Sequence, residues 1–83
     1  MNQANGDYSH AEGIMNVLSG IGAHAEGFGN KAVGNYSHAE GVQTEANEEG
    51  SHAEGHGSIA NGKSSHAEGG SFANGEDSHS EGS

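Results

Sequence analysis

Small and polar residues alternate along this chain in a five-residue motif that recurs throughout its length. The motif has the form Ser-x-Ala-x-Gly, and its most regular copies carry His and Glu at the two x positions. Six copies begin near residues 9, 23, 37, 51, 65 and 78. The first four steps between copies are fourteen residues long and the last is thirteen. A fixed period across the chain predicts a repeat architecture in which one coil is copied and stacked.

Each fourteen-residue unit contains this alternation twice. Residues 58–62 have the same form as residues 65–69, and residues 71–75 repeat it. The alternation indicates β-strands, because successive side chains point to opposite faces of a strand. Ser, Ala and Gly should share one inward face, and two such faces should form a thin, flattened tube filled by alanine. The segments after each glycine, such as residues 34–36, should form corners, where Gly or Asn most easily adopts positive φ.

Helix is disfavoured because a glycine at every seventh residue costs about 1 kcal/mol relative to alanine. No apolar stripe with a period of 3.6 residues is present either. We therefore predict an all-β, parallel β-roll of six coils that forms a single domain over residues 1–83. At a spacing of about 4.8 Å per coil, the stack should be roughly 30 Å tall.

Composition changes this picture in one respect. Only 29% of the residues are apolar, 16 are glycine and the net charge is −10, which by itself would indicate disorder. The strict period favours an ordered chain instead. An alanine-filled core buries little apolar area, so we expect the ordering to depend on self-association.

Three positions depart from the repeat. Leu18 occupies an alanine position in the most apolar stretch, which predicts a local bulge or a larger contact between subunits; the apolar residues around it are Ile14, Met15, Val17 and Ile21. Glu48 replaces an expected glycine, so we expect strain at that corner. One residue is missing between Gly69 and Ser71, which predicts one shorter turn.

Each coil thus contains two Ser-x-Ala-x-Gly units, and this pairing repeats in phase from Ala4 to Gly82. The pattern resembles the head repeats of YadA-like trimeric autotransporter adhesins. The resemblance implies a left-handed parallel β-roll in which three chains lie side by side around a common axis. That family normally carries Val and Ile at the x positions of one half, where this chain carries His and Glu. The polar variant is also similar to repeats in phage-associated fibre and tail proteins.

We expect a structural function and no enzymatic activity, because His and Glu recur without a nucleophile that breaks the repeat and without a distinct pocket. We expect a rigid segment of a homotrimeric surface adhesin or fibre that presents a surface to a host surface or an extracellular-matrix ligand. The expected location is extracellular, on a cell surface or a virion fibre. Alternatives are a metal-binding module closed by ions and a self-assembling filament, since a solenoid with unprotected ends exposes unpaired strand edges.

The candidate site residues form two ladders. One ladder consists of His10, His24, His38, His52, His66 and His79, and the other of Glu12, Glu26, Glu40, Glu54, Glu68 and Glu81. Their uniformity suggests a uniform environment, most simply the trimer axis. Three interpretations remain open: His donates to Glu as a structural pair, three His from three chains form a ring for Zn²⁺ or Ni²⁺, or the face is solvated. His56 lies outside the ladder and is expected to be an exposed turn residue.

Charge and hydropathy exclude other partners. Two lysines against twelve acidic residues make nucleic acid a poor partner. No stretch approaches the ~20 apolar residues of a membrane span, and the N-terminal residues lack the basic and apolar parts of a signal peptide. Apart from the metal ring, no cofactor is expected.

Overall fold

The computed structural model describes residues 2–82 as a stack of short β-strands. In chain order the strands are β1 (Gln3–Ala4), β2 (His10–Ile14), β3 (Val17–Leu18), β4 (His24–Phe28), β5 (Lys31–Ala32), β6 (His38–Val42), β7 (Glu45–Ala46), β8 (His52–Glu54), β9 (Ile59–Ala60), β10 (His66–Glu68), β11 (Phe72–Ala73) and β12 (His79–Ser80). Between residues 2 and 82 there is no helix that is long and apolar enough to cross a membrane. Met1 and Ser83, the end residues of the predicted domain 1–83, lie outside the described range.

The strands form two parallel sheets that face each other. The odd-numbered strands make one six-stranded sheet in the order β1-β3-β5-β7-β9-β11, and the even-numbered strands make the other in the order β12-β10-β8-β6-β4-β2. Equivalent residues pair: His24 lies beside His38, and after the missing residue His66 lies beside His79. The stack measures 29 × 20 × 10 Å. The predicted all-β parallel solenoid, its fourteen-residue coil and its shorter last turn are therefore confirmed.

Alanine fills the space between the two sheets. The buried apolar residues are Leu18, Ala23, Ala25, Ala32, Ala39, Ala46, Ala53, Ala60, Ala67 and Ala73. Leu18 takes its place in this column without a bulge, since it pairs with Ala4 on one side and Ala32 on the other. The bulge predicted at Leu18 is therefore wrong. Its neighbours Ile14 and Met15 are instead more than half exposed.

The two halves of each coil differ in their glycines. The prediction that Ser, Ala and Gly share one inward face fits Ser and Ala but is wrong for the glycines that follow the His-Ala-Glu strands. Gly13, Gly27 and Gly55 are exposed, and the glycines of this column before the last two coils have φ between 104° and 111°. A Cβ on Gly41 would lie 2.0 Å from the carbonyl oxygen of Gly55. These glycines are required because both their φ and the close approach of the next coil exclude a side chain.

The opposite corners also differ from the prediction. Positive φ falls on the third residue of the corner, at Tyr36 (61°) and Ser64 (58°), and not on the glycine that precedes it. Gly34 is needed for a steric reason, because a Cβ there would lie 2.1 Å from the carbonyl oxygen of Glu48. The glycine therefore allows close stacking, while the turn itself is made by a residue of any size in the left-handed region.

Glu48 replaces glycine in this corner column and changes one hydrogen bond between coils. The backbone N–H of Gly34 donates to Ala46 O in the next coil, at 3.3 Å. Within residues 2–82 the N–H of Glu48 donates only to Ser51 Oγ, at 3.2 Å. The turn itself is kept, because Ser51 Oγ donates to Glu48 O at 2.6 Å. The departure at Glu48 thus alters the link to the following coil and not the shape of its own corner.

A buried polar ladder, absent from the sequence prediction, ties successive coils together. It runs up the interior beside the odd-numbered sheet through Asn2, Asn16, Asn30 and Thr44. The side-chain amide of Asn30 donates to Glu26 O at 2.7 Å and to Gly41 O at 2.9 Å. Its Oδ1 accepts from the N–H and from the hydroxyl of Thr44, both at 2.8 Å. Asn16 and Asn30 therefore satisfy backbone groups of their own coil and of the coil that follows.

Replacing Asn30 by Ala should destabilise the fold, because it leaves buried carbonyl and N–H groups without partners. We expect the free energy of unfolding to fall by about 2–4 kcal/mol. Asn61→Ala is the matched control, since the Asn61 side chain bonds only to the side chains of Asn47 and Asn74 on the outer surface, and it should cost less than about 1 kcal/mol. Denaturant unfolding at equal chain concentration measures both. Equal losses would contradict a structural role for the interior ladder.

A second pair of variants tests the close approach of the coils. Gly41→Ala should lower the free energy of unfolding by about 2 kcal/mol or more, through steric overlap and strained φ. Gly75→Ala is its control, because a Cβ there meets nothing closer than Ser78 Cβ at 3.8 Å. The control should change stability by no more than about 0.5 kcal/mol. Thermal unfolding followed by circular dichroism compares the two, and a tolerated Gly41→Ala would refute the observed coil spacing.

Candidate functional site

The twelve predicted site residues lie together on the outer side of the even-numbered sheet. The intervening alanines of β4, β6, β8 and β10 are buried, so strand alternation turns the residues on either side of them outward. The histidine column is His10, His24, His38, His52, His66 and His79, and the glutamate column is Glu12, Glu26, Glu40, Glu54, Glu68 and Glu81. We call this surface the His–Glu face. Its assignment to a trimer axis stays a prediction.

The imidazole rings stack along the roll. Between His24 and His38 the ring centroids are 4.5 Å apart with an interplanar angle of 6°, and between His38 and His52 they are 4.6 Å apart at 1°. The stack continues through His66 to His79. Only His10 is tilted, by 51° from the next ring. This regularity follows from the parallel register, which places equivalent Cα atoms one strand spacing apart.

The carboxylates connect these rings in a zigzag. Oε1 of Glu40 lies 3.7 Å from His38 Nε2 in its own coil and 3.2 Å from His52 Nε2 in the next. Oε1 of Glu54 lies 3.9 Å from His52 Nε2 and 2.9 Å from His66 Nε2. Glu26 and Glu68 repeat the arrangement. Each interior carboxylate is therefore shared by two histidines of successive coils.

The hydrogen bonding of the histidines is uneven along the face. Nε2 of His52 and of His66 lies within hydrogen-bonding distance of a carboxylate oxygen, and the imidazole is the donor because an ionised carboxylate only accepts. Within residues 2–82, Nε2 of His24 and of His38 has no hydrogen-bond partner, and both atoms are closed off from solvent. Two interior rings thus point an unsatisfied nitrogen toward the carboxylate column.

The shared contacts affect the charge state of Glu54. The hydrogen bond from His66 holds the pKa of its carboxyl group below the ordinary value of 4.5. The positive charge that His52 can carry acts in the same direction, while partial burial of the carboxylate opposes both. The carboxylate in the middle of the face is thus stabilised in its ionised form by the histidines on either side.

An exposed apolar column borders the His–Glu face and was missed in the sequence analysis. Ile14, Phe28 and Val42 end strands β2, β4 and β6, pair with one another, and are 54%, 44% and 39% exposed. We call these three residues the apolar ridge. His56 continues the column through a bridge to Val42 and is exposed, as predicted. The signal was available in the sequence, because these residues recur at a spacing of fourteen, directly after each glycine.

The other outer surface, on the odd-numbered sheet, is chemically mixed. Its strands carry Val17, Lys31, Glu45, Ile59 and Phe72 at equivalent positions. A short run of amides follows strands β7, β9 and β11, in which Asn47 donates to Asn61 and Asn61 donates to Asn74. The roll therefore has one uniform face and one face that changes from coil to coil.

The His–Glu face offers two kinds of chemistry. With protonated imidazoles it is a row of alternating positive and negative charges. With neutral imidazoles it is a row of nitrogen and oxygen donors, in which two histidines and one glutamate repeatedly bring one ligand atom each to within 4.8 Å of the others. Both depend only on residues of a single chain. No pocket is found among residues 2–82.

Comparison with known proteins gives no relative for this chain. No protein-family model matches it, and neither a curated protein nor a solved structure matches it.

The lowered pKa of Glu54 predicts a specific acid sensitivity. A carboxyl group whose pKa is lower in the folded state stabilises the fold above its ordinary pKa, and this contribution is lost as the pH falls below 4.5 through the lowered value. Glu54→Gln should therefore unfold with a melting temperature that falls less between pH 5 and pH 3 than that of the unchanged chain. His66→Ala removes the main cause of the shift and should have the same effect. If both variants keep the full acid dependence, the His66–Glu54 contact does not exist in solution.

Proposed function

We propose that this chain is a rigid structural segment of a homotrimeric surface adhesin or fibre, wound as a left-handed roll. The observation that carries the proposal is the unbroken stacking of identical coils, in which each strand pairs in parallel with its equivalent in the next coil. Such a roll has a fixed cross-section and a length set by the number of coils. It suits a protein that holds a binding surface away from a cell or a virion.

Self-association is supported by the distribution of apolar side chains. Leu18 is the only fully buried residue among the described ones that is larger than alanine and purely apolar. Burial of methyl groups supplies little free energy against the backbone entropy of an ordered chain. Meanwhile the apolar ridge (Ile14, Phe28 and Val42) remains substantially exposed. Association of chains through this ridge would bury the area that the interior lacks.

Of the two outer surfaces, the His–Glu face is the better candidate for contact between subunits, because its residues are the same in every coil. The His–Glu face and the apolar ridge lie on the same strands, so both can meet equivalent residues of two other copies around a three-fold axis. Such an interface must keep its chemistry constant from coil to coil, because every layer of the trimer has the same geometry. The carboxylates of the interior glutamates also have partners within the chain, since Oε1 of Glu40 lies within 4 Å of Nε2 of both His38 and His52.

The varied surface would then face outward and make the attachment. Residues that differ from coil to coil can create a distinct binding patch at each level of the roll. On the odd-numbered sheet these positions include Lys31, Glu45 and Phe72, which bring positive, negative and aromatic side chains to one surface. A host surface or an extracellular-matrix ligand would be recognised here, outside the cell.

Sedimentation equilibrium tests the trimer directly. The unchanged chain should have three times its mass of 8.3 kDa at micromolar concentration. The double variant Phe28→Ser, Val42→Ser should dissociate, because it removes two apolar side chains of the proposed contact. Phe72→Ser is the matched control and should remain a trimer, since Phe72 is also exposed but lies on the other sheet. A well-folded monomer of the unchanged chain, or a series of masses beyond the trimer, would contradict the proposal.

A further inference from the structure

We propose that a single chain binds Zn²⁺ along its His–Glu face, with each ion held by two histidines of successive coils and the glutamate between them. The available groups are His10–Glu12–His24, His24–Glu26–His38, His38–Glu40–His52, His52–Glu54–His66 and His66–Glu68–His79. This site differs from a ring of three histidines from three chains, because one chain supplies all the protein ligands. It goes beyond the proposed function: the same face is the proposed contact between subunits, but each group of ligands comes from one chain whether or not chains associate.

The nitrogen–oxygen distances already match a zinc site. Zinc takes nitrogen and oxygen ligands at about 2.0–2.2 Å in tetrahedral geometry, so two ligand atoms on one ion lie about 3.3 Å apart. In the group centred on Glu40, the carboxylate oxygen lies 3.7 Å from one Nε2 and 3.2 Å from the other. In the group centred on Glu26, the corresponding separations from Oε1 to Nε2 of His24 and of His38 are 3.5 Å and 3.7 Å. Binding therefore requires shifts of only a few tenths of an ångström along these edges. The proton with which His52 Nε2 donates to Glu40 would move to Nδ1 or leave to solvent, because a ligating nitrogen carries no proton.

The edge between the two histidines requires the larger adjustment. Stacked rings whose centroids lie 4.5–4.6 Å apart have to bring their Nε2 atoms about 1 Å closer. Rotation about the last side-chain bond of histidine is soft, so the rings can tilt toward a shared ion. The interior imidazoles are about one-third exposed, which leaves room for this motion, and a water molecule would become the fourth ligand once the tilted rings open the site.

The unsatisfied nitrogens support the same conclusion. Nε2 of His24 and of His38 is closed off from solvent and makes no hydrogen bond within residues 2–82. A buried polar atom without a partner is costly. An ion between His24, Glu26 and His38 would give both nitrogens a ligand bond. Imidazole with carboxylate is a donor set that suits zinc, whereas calcium and magnesium prefer oxygen alone.

Sharing of histidines sets the capacity of the face. Neighbouring groups have one histidine in common, so two adjacent groups cannot both be filled. Six ladder histidines used in pairs hold at most three ions per chain, for example in the groups centred on Glu12, Glu40 and Glu68. This limit is a property of the geometry and separates the proposal from loose attraction of cations to a chain of net charge −10.

Two triple variants with the same number of histidines test whether adjacency matters. His24→Gln, His52→Gln, His79→Gln removes one histidine from every group. His10→Gln, His24→Gln, His38→Gln leaves the last three ladder histidines adjacent. In calorimetric titration of the untagged chain with Zn²⁺, we expect no more than three ions for the unchanged chain, none for the first variant and one for the second. The proposal would be overturned if the two variants bound the same number of Zn²⁺ ions per chain, whether both still bound zinc or neither did.

A second experiment uses the unchanged chain, so it does not depend on how the variants fold. Imidazole ¹⁵N chemical shifts recorded during a Zn²⁺ titration should move for the ladder histidines and stay constant for His56, which belongs to none of the groups. Ca²⁺ at the same concentration should leave all of the shifts in place. Shifts at His56 alone, equal shifts with Ca²⁺, or no shifts at all would contradict zinc binding at this face.

Discussion

Parallel stacking of equivalent residues is the constraint on which the rest of this structure depends. Each coil donates and accepts backbone hydrogen bonds to the coils before and after it, and the register fixes residue i beside residue i+14. A side chain must therefore be compatible with a copy of itself at one strand spacing on both sides. Alanine meets this requirement in the core, asparagine meets it by bonding to the next backbone N–H, and histidine meets it by ring stacking.

The same constraint explains why the two outer faces differ. A face where His and Glu alternate can repeat without limit, because each interior carboxylate contacts one imidazole of its own coil and one of the next coil. Long runs of like-charged lysine or glutamate alone would repel at this spacing. The other sheet avoids repulsion by changing its residues, so that Lys31 lies beside Glu45 and Val17. The uniform His–Glu face suits contact with copies of the chain or with ions bound at regular intervals. The varied surface of the odd-numbered sheet suits recognition of an external ligand.

The fold could be predicted from the sequence because the period itself determines the architecture. The coil length, the alanine core and the shorter last turn all follow from the positions of Ser-x-Ala-x-Gly. The Ser-x-Ala-x-Gly pattern did not reveal the asparagine ladder, because Asn16 and Asn30 stand at the position that serine occupies in residues 58–62 and 71–75. A small polar side chain at that position is what the backbone requires, and serine is only one solution.

The corners and the site were predicted less completely for a physical reason. The sequence shows where glycine is needed but not whether the need comes from φ or from a close approach; at Gly34 it is the close approach, and φ is positive at Tyr36 instead. Likewise, alternation placed His and Glu on one face, but only the three-dimensional register shows that Glu40 reaches His52 of the next coil more closely than His38 of its own.

The central claim is that the coils stack in this register, and nuclear Overhauser effects between backbone hydrogens test it most directly. The account predicts cross-peaks between the strands of Ala39 and Ala53, fourteen residues apart, and between those of His66 and His79, thirteen residues apart. The same steps should hold along both sheets. Cross-peaks that pair strands of one sheet at a sequence separation other than thirteen or fourteen, or a spectrum without contacts between coils, would contradict the stacked roll and every ladder that depends on it.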